Sequence, residues 1–264
     1  MKTIMALIPA RGGSKRIPKK NIRSFFGHAL IAYTIAQAKA ANIFKGIYVS
    51  TDDEETALIA SVHGARAFDR PKEYATDVSP DYEWVNYTLN QLGSLNMTDC
   101  FMLLRPTNPF RKPESIIRAW KMFQEYPEAD SMRAIRRAKE HPAKMWWKIP
   151  STKFILNYGY SAKGELPKYE RQTASLPEVF VQSAALEIFK KETVAKFKNI
   201  SGELILPFHF PEFEDFDINT EEDWILAEEL VKRKMVELQI NDGPECSKFI
   251  DMREIRDCEW ITSL

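Results

Sequence analysis

Fourteen residues near the amino terminus concentrate the chemistry: Ile8-Pro9-Ala10-Arg11-Gly12-Gly13-Ser14-Lys15-Arg16-Ile17-Pro18-Lys19-Lys20-Asn21. They hold two glycines, a serine, two arginines and three lysines. Glycines clear the way for backbone N–H groups to approach an anion, and the cations neutralise its charge. Such a loop suits a polyphosphate. It is neither G-x-x-x-x-G-K-[ST] nor G-x-G-x-x-G, so the P-loop and dinucleotide fingerprints do not describe it. A solvated basic loop is the bland alternative; the glycine pair, the apolar lead-in and the proline in the exit favour the cradle.

A second concentration is acidic, running from Glu214 through Asp215, Asp217 and Asn219 to Asp223. Alternate residues of an extended segment point the same way, so Asp215, Asp217 and Asn219 are expected on one side. Hard oxygen ligands at that spacing suit Mg²⁺, which takes one or two carboxylates and leaves other positions to phosphate and water. Thr220-Glu221-Glu222-Asp223 has the form of a capping box, so those residues read as a helix start. Asp217 reads as a metal ligand. Asp52 and Asp53 read as a turn and helix start, and Arg105-Pro106-Thr107-Asn108-Pro109-Phe110-Arg111 is a further polar run. A phosphate cradle with a carboxylate metal site is what phosphoryl or nucleotidyl transfer requires.

The elements that must position these groups alternate. Short apolar runs at Lys2–Ile8, Gly46–Ser50, Ala65–Phe68, Cys100–Leu104, Ser131–Ile135 and Leu204–Phe208 read as strands, and Val179–Phe189 as a strand leading into a short helix. Helical periodicity marks Ala29–Ala41, Glu54–His63, Tyr82–Leu92, Glu114–Glu125 and a stretch from Thr220 to about Leu238. The expected fold is α/β, a mostly parallel sheet covered on both faces, with ligands beyond the carboxyl ends of its strands. Residues 1–240 are expected to form this domain. Within it, residues from about 140 to 178 carry Trp146, Trp147, Tyr158, Tyr160 and Tyr169 and read as an inserted arm at a subunit interface. Residues 241–264 form an extension to which no role is assigned.

The chain has 264 residues, 44% hydrophobic and 28% charged, with 37 basic and 37 acidic side chains. Zero net charge argues against a general nucleic-acid binder, since the basic loop is local. No apolar run reaches the length of a membrane span. The opening MKTIMALIPARGG reads as a first strand rather than a secretory leader. Cys100, Cys246 and Cys258 show no metal or redox spacing, which fits a reducing cytoplasm.

IPARGGSKRIPKKN resembles the signature loop of the acylneuraminate cytidylyltransferases, which make CMP-linked sialic acids and related nonulosonic acids. The resemblance continues through VSTDD, Arg70-Pro71 with Ala75-Thr76-Asp77, LLRPTNPFR, His141-Pro142-Ala143-Lys144, Arg171-Gln172 with Leu176-Pro177, and FDINTEEDW. It covers residues 3 to about 235 in order. It implies a three-layer, Rossmann-like (GT-A-like) nucleotidyltransferase fold, and a homodimer whose middle arm reaches the neighbouring subunit. The implied reaction transfers CMP from CTP to the anomeric hydroxyl of a sugar acid, with Mg²⁺ as cofactor and pyrophosphate released.

By matched position, Ala10, Arg11, Gly13, Ser14, Lys15, Lys20, Asn21, Arg70 and Asp81 would bind the nucleotide. Arg11, Lys20 and Asp217 would be catalytic. A strand-like loop would point the neighbours Lys15 and Arg16 apart, and Lys15 is expected to be the functional one. Arg105, Thr107, Asn108, Arg171, Gln172 and Ser183 would meet the sugar acid. Asp217 matches the first aspartate of the family's metal pair.

Three departures accompany the resemblance. The second metal aspartate is Asn219 here, leaving Asn219 or Asp215 to complete the site. The family's sugar-side glutamine is Arg105, which has the fork to pair with a substrate carboxylate. Likewise Val181-Gln182-Ser183-Ala184 stands where sialic acid members have Arg-Pro-Asn-Gly. Finally, Asp81 stands where the family has a serine. A carboxylate accepts from cytosine N4–H₂ and suits guanine N1–H and N2–H₂ better, so GTP stays open beside CTP. Also open are a different sugar or sugar phosphate, and a nucleotide-binding member with little turnover. No nucleic acid or membrane partner is implied.

Overall fold

The computed structural model describes residues 2–93, 98–159 and 165–240. Tyr160, Cys246, Cys258 and the whole 241–264 extension lie outside the described residues. The chain separates into two compact units: residues up to Ala134 together with those from Ala184 onward, and Ile135–Ser183.

The first unit holds most of a seven-stranded sheet. In chain order its strands are β1 (Ile4–Pro9), β4 (Ile47–Thr51), β5 (Arg66–Asp69), β6 (Cys100–Leu103), β7 (Ser131–Arg137), β10 (Phe180–Lys190) and β11 (Ile205–Phe208). In space the order is β11-β7-β10-β6-β1-β4-β5. β1 runs parallel to β4 and β6, β4 to β5, and β11 to β7, while β10 is antiparallel to β6. The mostly parallel sheet is therefore present, with β10 running against β6. Register places Glu187 of β10 opposite Leu103 of β6, so β10 enters at the carboxyl edge of β6.

Helices cover both faces. Along β1, Ile4, Ala6 and Ile8 pack with Ile31 and Ile35 of α1 (Leu30–Ala41) and with Ile116 and Trp120 of α4 (Pro113–Glu125). Met5 and Leu7 point the other way, onto Trp84, Val85 and Leu89 of α3 (Asp81–Leu92). Period-two alternation with both sets apolar is why these strands read as continuous hydrophobic runs. Ile8 is wholly buried; Ile8→Ala would cost about 2–5 kcal/mol.

A third cluster fixes the site's periphery. It joins Ile17 of the basic loop, Phe25, Phe110, Ile218, and Trp224 of α6 (Glu221–Lys232). The rings of Phe25 and Trp224 meet edge-to-face at 5.3 Å, and the Arg23 guanidinium lies 4.3 Å from the Trp224 ring centre. Phe25 belongs to a hairpin that periodicity did not announce, β2 (Ser24–Phe25) and β3 (His28–Ala29). Its turn residues Phe26 and Gly27 have φ of 46° and 88°, the left-handed pair of a tight hairpin turn. Helix α2 (Glu54–Val62) follows β4, and α5 (Lys191–Phe197) follows β10. α6 stops at Lys232, short of the expected Leu238. Lys234 turns left-handed with φ 57°, and the N–H of Met235 folds back onto the Leu230 carbonyl at 3.0 Å.

The second unit holds a two-stranded antiparallel hairpin, β8 (Trp146–Lys148) and β9 (Ile155–Asn157), with Trp146 opposite Asn157. Lys144 Nζ donates to the carbonyls of Tyr169 and Arg171, both at 2.6 Å, and the Asn157 amide donates to those of Ala143 and Met145. Among the described residues no helix is long and apolar enough to cross a membrane.

Candidate active site

The carboxyl ends of β1, β5 and β6 open into one cleft of about 320 Å³. The basic loop contributes Arg11, Ser14, Lys15, Arg16 and Lys20 to its wall. The segment after β5 contributes Arg70, Thr76, Asp77, Ser79 and Asp81. Arg105 and Thr107 come from the turn after β6, and Asp217 and Asn219 from the acidic segment. Six cations thus face three carboxylates, and such a surplus in a concave site favours a polyanion.

The loop's shape depends on close backbone approach. The Gly12 N–H donates to Asp52 Oδ1 at 2.8 Å, and a β-carbon on Gly12 would stand 2.9 Å from that of Asp53. Asp53 caps α2, accepting from the Thr56 N–H at 2.8 Å. Both aspartates are therefore turn and helix-start residues, with Asp52 also holding the loop. Asn21 is buried and donates to the Arg11 carbonyl at 3.0 Å. Ala10 is buried, its N–H engaged by the Ser50 carbonyl, and neither it nor Gly13 is in the cleft wall. Arg16 lines the cleft beside Lys15, contrary to the expectation that they point apart. The loop bends and turns from Lys15 to Ile22 instead of running extended, so alternation does not hold.

Lys20 ties this loop to the acidic segment, donating to the Ile218 carbonyl at 3.0 Å. Burial lowers its pKa, and the charge of Asp217 offsets part of that shift. The Ile218 N–H in turn donates to the Thr107 carbonyl at 2.9 Å. Asn108 is fully buried, its Nδ2 donating to the carbonyls of Phe216 at 2.9 Å and Asp215 at 3.3 Å. It lies behind the wall and holds the acidic segment, instead of facing a sugar as expected. Asp215 is not in the wall either. It sits in a turn where Phe213 has φ 66°, which ends the alternation that would have aligned it with Asp217.

Asp217 and Asn219 do come together, Asn219 Nδ2 donating to Asp217 Oδ2 at 2.5 Å. Asp217 Oδ1 is buried with no hydrogen-bond partner. An orphaned carboxylate oxygen beside a polyanion cleft fits a hard cation, which needs few protein ligands when phosphate and water supply the rest. Among the described residues no cluster of three acidic, histidine or cysteine side chains offers a fuller cage. Asp223 accepts from the N–H groups of Asn219 and Thr220, both at 2.9 Å, and completes the expected capping box.

Two carboxylates are already paired with the cleft's cations. Asp77 lies 2.7 Å from Arg11 and 2.5 Å from Lys15, and hydrogen bonds from both hold its carboxyl below the usual range. Asp81 lies 2.5 Å from Arg105, and also accepts from the Trp84 indole N–H at 2.9 Å. Arg105 reaches Glu187 at 3.0 Å as well. Burial alone would lower the pKa of Arg105, but the charges of Asp81 and Glu187 raise it overall. The fork expected to await a substrate carboxylate is thus engaged by two carboxylates of the chain itself. Arg70 is buried, its guanidinium 5.0 Å from the Trp84 ring centre and its Nε bonded to the Tyr74 carbonyl; burial pushes its pKa down to about 10.

Sequence reasoning did not single out Asp77, Glu187 or Arg111 as site residues. Asp77 lies in the run Ala75-Thr76-Asp77, and its charge is the signal that marks it. Arg111 is fully buried, donating to Gln37 Oε1 at 3.3 Å and to the Arg105 carbonyl at 2.9 Å. Burial pushes it down to about 9, with the charges of Asp217 and Glu214 opposing. Arg171, Gln172 and Ser183 belong to the second unit. There Arg171 donates to Glu165 at 3.1 Å and to the Leu166 carbonyl, Gln172 precedes a 3₁₀ turn, and Ser183 is buried on β10.

Comparison with known proteins agrees with this geometry. A family model described as cytidylyltransferase matches residues 5–200. The N-acylneuraminate cytidylyltransferase of Escherichia coli O18:K1:H7 is 30% identical over 233 residues, 88% of this chain and 52% of that protein, so the chain spans about half its length. The CMP-N,N'-diacetyllegionaminic acid synthase of Legionella pneumophila is 30% identical over 235 residues, 87% of this chain and 96% of that one. Among solved structures, a CMP:2-keto-3-deoxy-manno-octonic acid synthetase complexed with CTP superposes with a TM-score of 0.64 at 12% identity, covering 88% of this chain and 100% of that one. That likeness identifies the Rossmann-like nucleotidyltransferase fold. The chain belongs to the cytidylyltransferase family, among its nonulosonic acid members.

Proposed function

We propose that the chain transfers CMP from CTP to the anomeric hydroxyl of a nonulosonic sugar acid, releasing pyrophosphate. The observation that carries this reading is one cleft lined by six cations, four of them from the basic loop, together with the partnerless Oδ1 of Asp217. The hydroxyl oxygen bonds to the α-phosphorus and loses its proton, and the bond to the bridging oxygen breaks with its electron pair leaving on pyrophosphate. Arg11, Ser14, Lys15 and Lys20 hold the triphosphate and offset the charge that develops on it. Arg70, with Asp81, is assigned to the nucleoside end. Asp217, with Asn219, would hold Mg²⁺, which would supply charge neutralisation at the phosphates.

The sugar acid is assigned to Thr107 in the cleft wall. The second unit's exposed apolar side chains, among them Trp147, Phe154 and Leu156, support a homodimer contact; equilibrium sedimentation tests it. The buried free Cys100 is compatible with a cytoplasmic setting. The deciding experiment measures pyrophosphate release with Mg²⁺ across CTP, UTP, GTP and ATP, each with a panel of nonulosonic acids. Release with CTP and one such acid is expected; no release with any pair refutes the reading. The amide at position 219 favours one second reading, nucleotide binding with little turnover. Calorimetric nucleotide affinity beside the turnover assay separates the two.

A further inference from the structure

Two of the departures from the family pattern, Asp81 and Arg105, touch each other, and the contact runs on into the core. Arg105 grips Asp81 through both terminal nitrogens, Nη2 to Oδ2 at 2.5 Å and Nη1 to Oδ1 at 3.4 Å. The same Nη2 reaches Glu187 Oε1 at 3.0 Å. Glu187 is 2% exposed, and its other oxygen forms an ion pair with Arg133 Nη1 at 2.8 Å. Arg133 is anchored by Ser201 Oγ at 2.6 Å. Two acids and two bases thus alternate from the cleft wall inward. The four charges of this chain cancel, and a buried carboxylate between two guanidinium groups holds both in place.

The arrangement limits what Asp81 can read. An ionised carboxylate has about four acceptor positions. Arg105 engages one on each oxygen, and the Trp84 N–H takes another on Oδ1. One position on Oδ2 is left for a ligand. A guanine edge, N1–H with N2–H₂, needs two parallel acceptors, and that bidentate face belongs to Arg105. Uracil presents an oxygen where cytosine presents an amino group, and the carboxylate repels it. We propose that Glu187 is a positioning residue for base selection: by holding Arg105 it occupies the bidentate face of Asp81 and leaves one acceptor for the exocyclic amino group of a cytosine. This rests on the reading that the cleft takes a nucleoside triphosphate.

The test compares kcat/KM for CTP, UTP and GTP in the unmutated chain and in Glu187→Gln, Asp81→Asn and the double variant. Glu187→Gln is expected to cut the preference for CTP over UTP and GTP by about tenfold or more, roughly the worth of one charge-assisted hydrogen bond. The loss should lie chiefly in KM for CTP. Adding it to Asp81→Asn should change the preference little further, because both act through one carboxylate. An equal fall for all three nucleotides, or effects that multiply, overturns the proposal and leaves Glu187 a purely structural residue. If Glu187→Gln does not fold, Arg105→Lys keeps the charge, gives up the fork, and is read by the same ratios. Absence of turnover in the unmutated chain refutes the function reading; turnover with an unchanged preference in the variants refutes the clamp alone.

Discussion

Removing the Lys20 ammonium tests the cleft's assignment most directly. Lys20 donates to the Ile218 carbonyl at 3.0 Å and sits between the basic loop and Asp217. In the proposed reaction it also meets a phosphate oxygen. A hydrogen bond to a charged partner contributes about 1.5–3 kcal/mol, so Lys20→Ala should lower kcat/KM for CTP by roughly 10- to 150-fold. Stability should move less. Burial disfavours the ammonium, so relief of that cost opposes the lost bond to Ile218. The sign of the pH dependence follows from the lowered pKa. A lysine whose folded pKa lies below its unfolded value of 10.5 penalises folding at neutral pH, and the penalty fades as pH rises through the folded value. The stability of Lys20→Met relative to the unmutated chain should therefore be highest at neutral pH and decline toward pH 10.5. Activity follows the ammonium. The alkaline fall in kcat/KM should begin below the ordinary lysine range and move upward in Lys20→Arg. Steady-state pyrophosphate release across pH, beside thermal melts, measures both. Turnover by Lys20→Ala equal to that of the unmutated chain, or an alkaline limb unmoved in Lys20→Arg, would remove Lys20 from the site.

Asp217→Ala should abolish Mg²⁺-dependent turnover, while Asp223→Ala should chiefly lower stability, by about 1 kcal/mol for a lost cap, read by thermal melts; the reverse ranking would move the metal site. The pKa of Asp223 is lowered, its burial outweighed by bonds from Asn219 and Thr220, so the cap's stabilisation is present above pH 3.8 and is lost as pH falls through the depressed value. Gly12→Ala places a β-carbon 2.9 Å from that of Asp53 and should cost about 1–3 kcal/mol by forcing the loop outward, with KM for CTP rising alongside; an unshifted melt and KM would show that the loop yields freely. Asp77→Asn should lower KM for CTP severalfold, because its carboxylate, paired with Arg11 and Lys15, would compete with the triphosphate for both cations; a raised KM would make Asp77 a ligand contact instead.

What was legible in the sequence was whatever depends on local pattern. Continuous apolar runs located the strands because both sheet faces are covered, and alternation along β1 divides Ile4, Ala6 and Ile8 from Met5 and Leu7. The capping box at Thr220 was legible because its partners lie three residues apart. The hairpin of β2 and β3 was not, since two-residue strands have no period. Alternation failed at Asp215 and at Lys15-Arg16, where the chain turns. Asn108 looked like a site residue by matched position, yet carbonyls more than 100 residues along the chain claim its amide.

The pairing of Asp81 with Arg105 belongs to the same class of long-range fact, and it changes how the family departures are read. Taken singly, a carboxylate in place of serine enlarges base recognition toward guanine, and an arginine in place of glutamine offers a new anion receptor. Each reading needs the side chain's bidentate face to be free. At 2.5 Å, with Glu187 closing the far side of the guanidinium, each charge neutralises the other. The net charge at this end of the cleft is therefore what serine and glutamine would give, while the surplus of cations stays at the basic loop, opposite Asp217. In the proposed reaction a triphosphate is drawn to the loop, and the wall of paired charges discriminates by hydrogen-bond pattern, where an unpaired buried acceptor penalises the wrong partner more than it rewards the right one. Replacing both departures together, Asp81→Ser with Arg105→Gln, should thus disturb folding and CTP turnover less than Arg105→Gln alone, which takes one cation from two carboxylates. Melts and kcat/KM of the single and double variants decide it: a double variant worse than the single would mean that the two charges act on the ligand separately and that the pair is incidental.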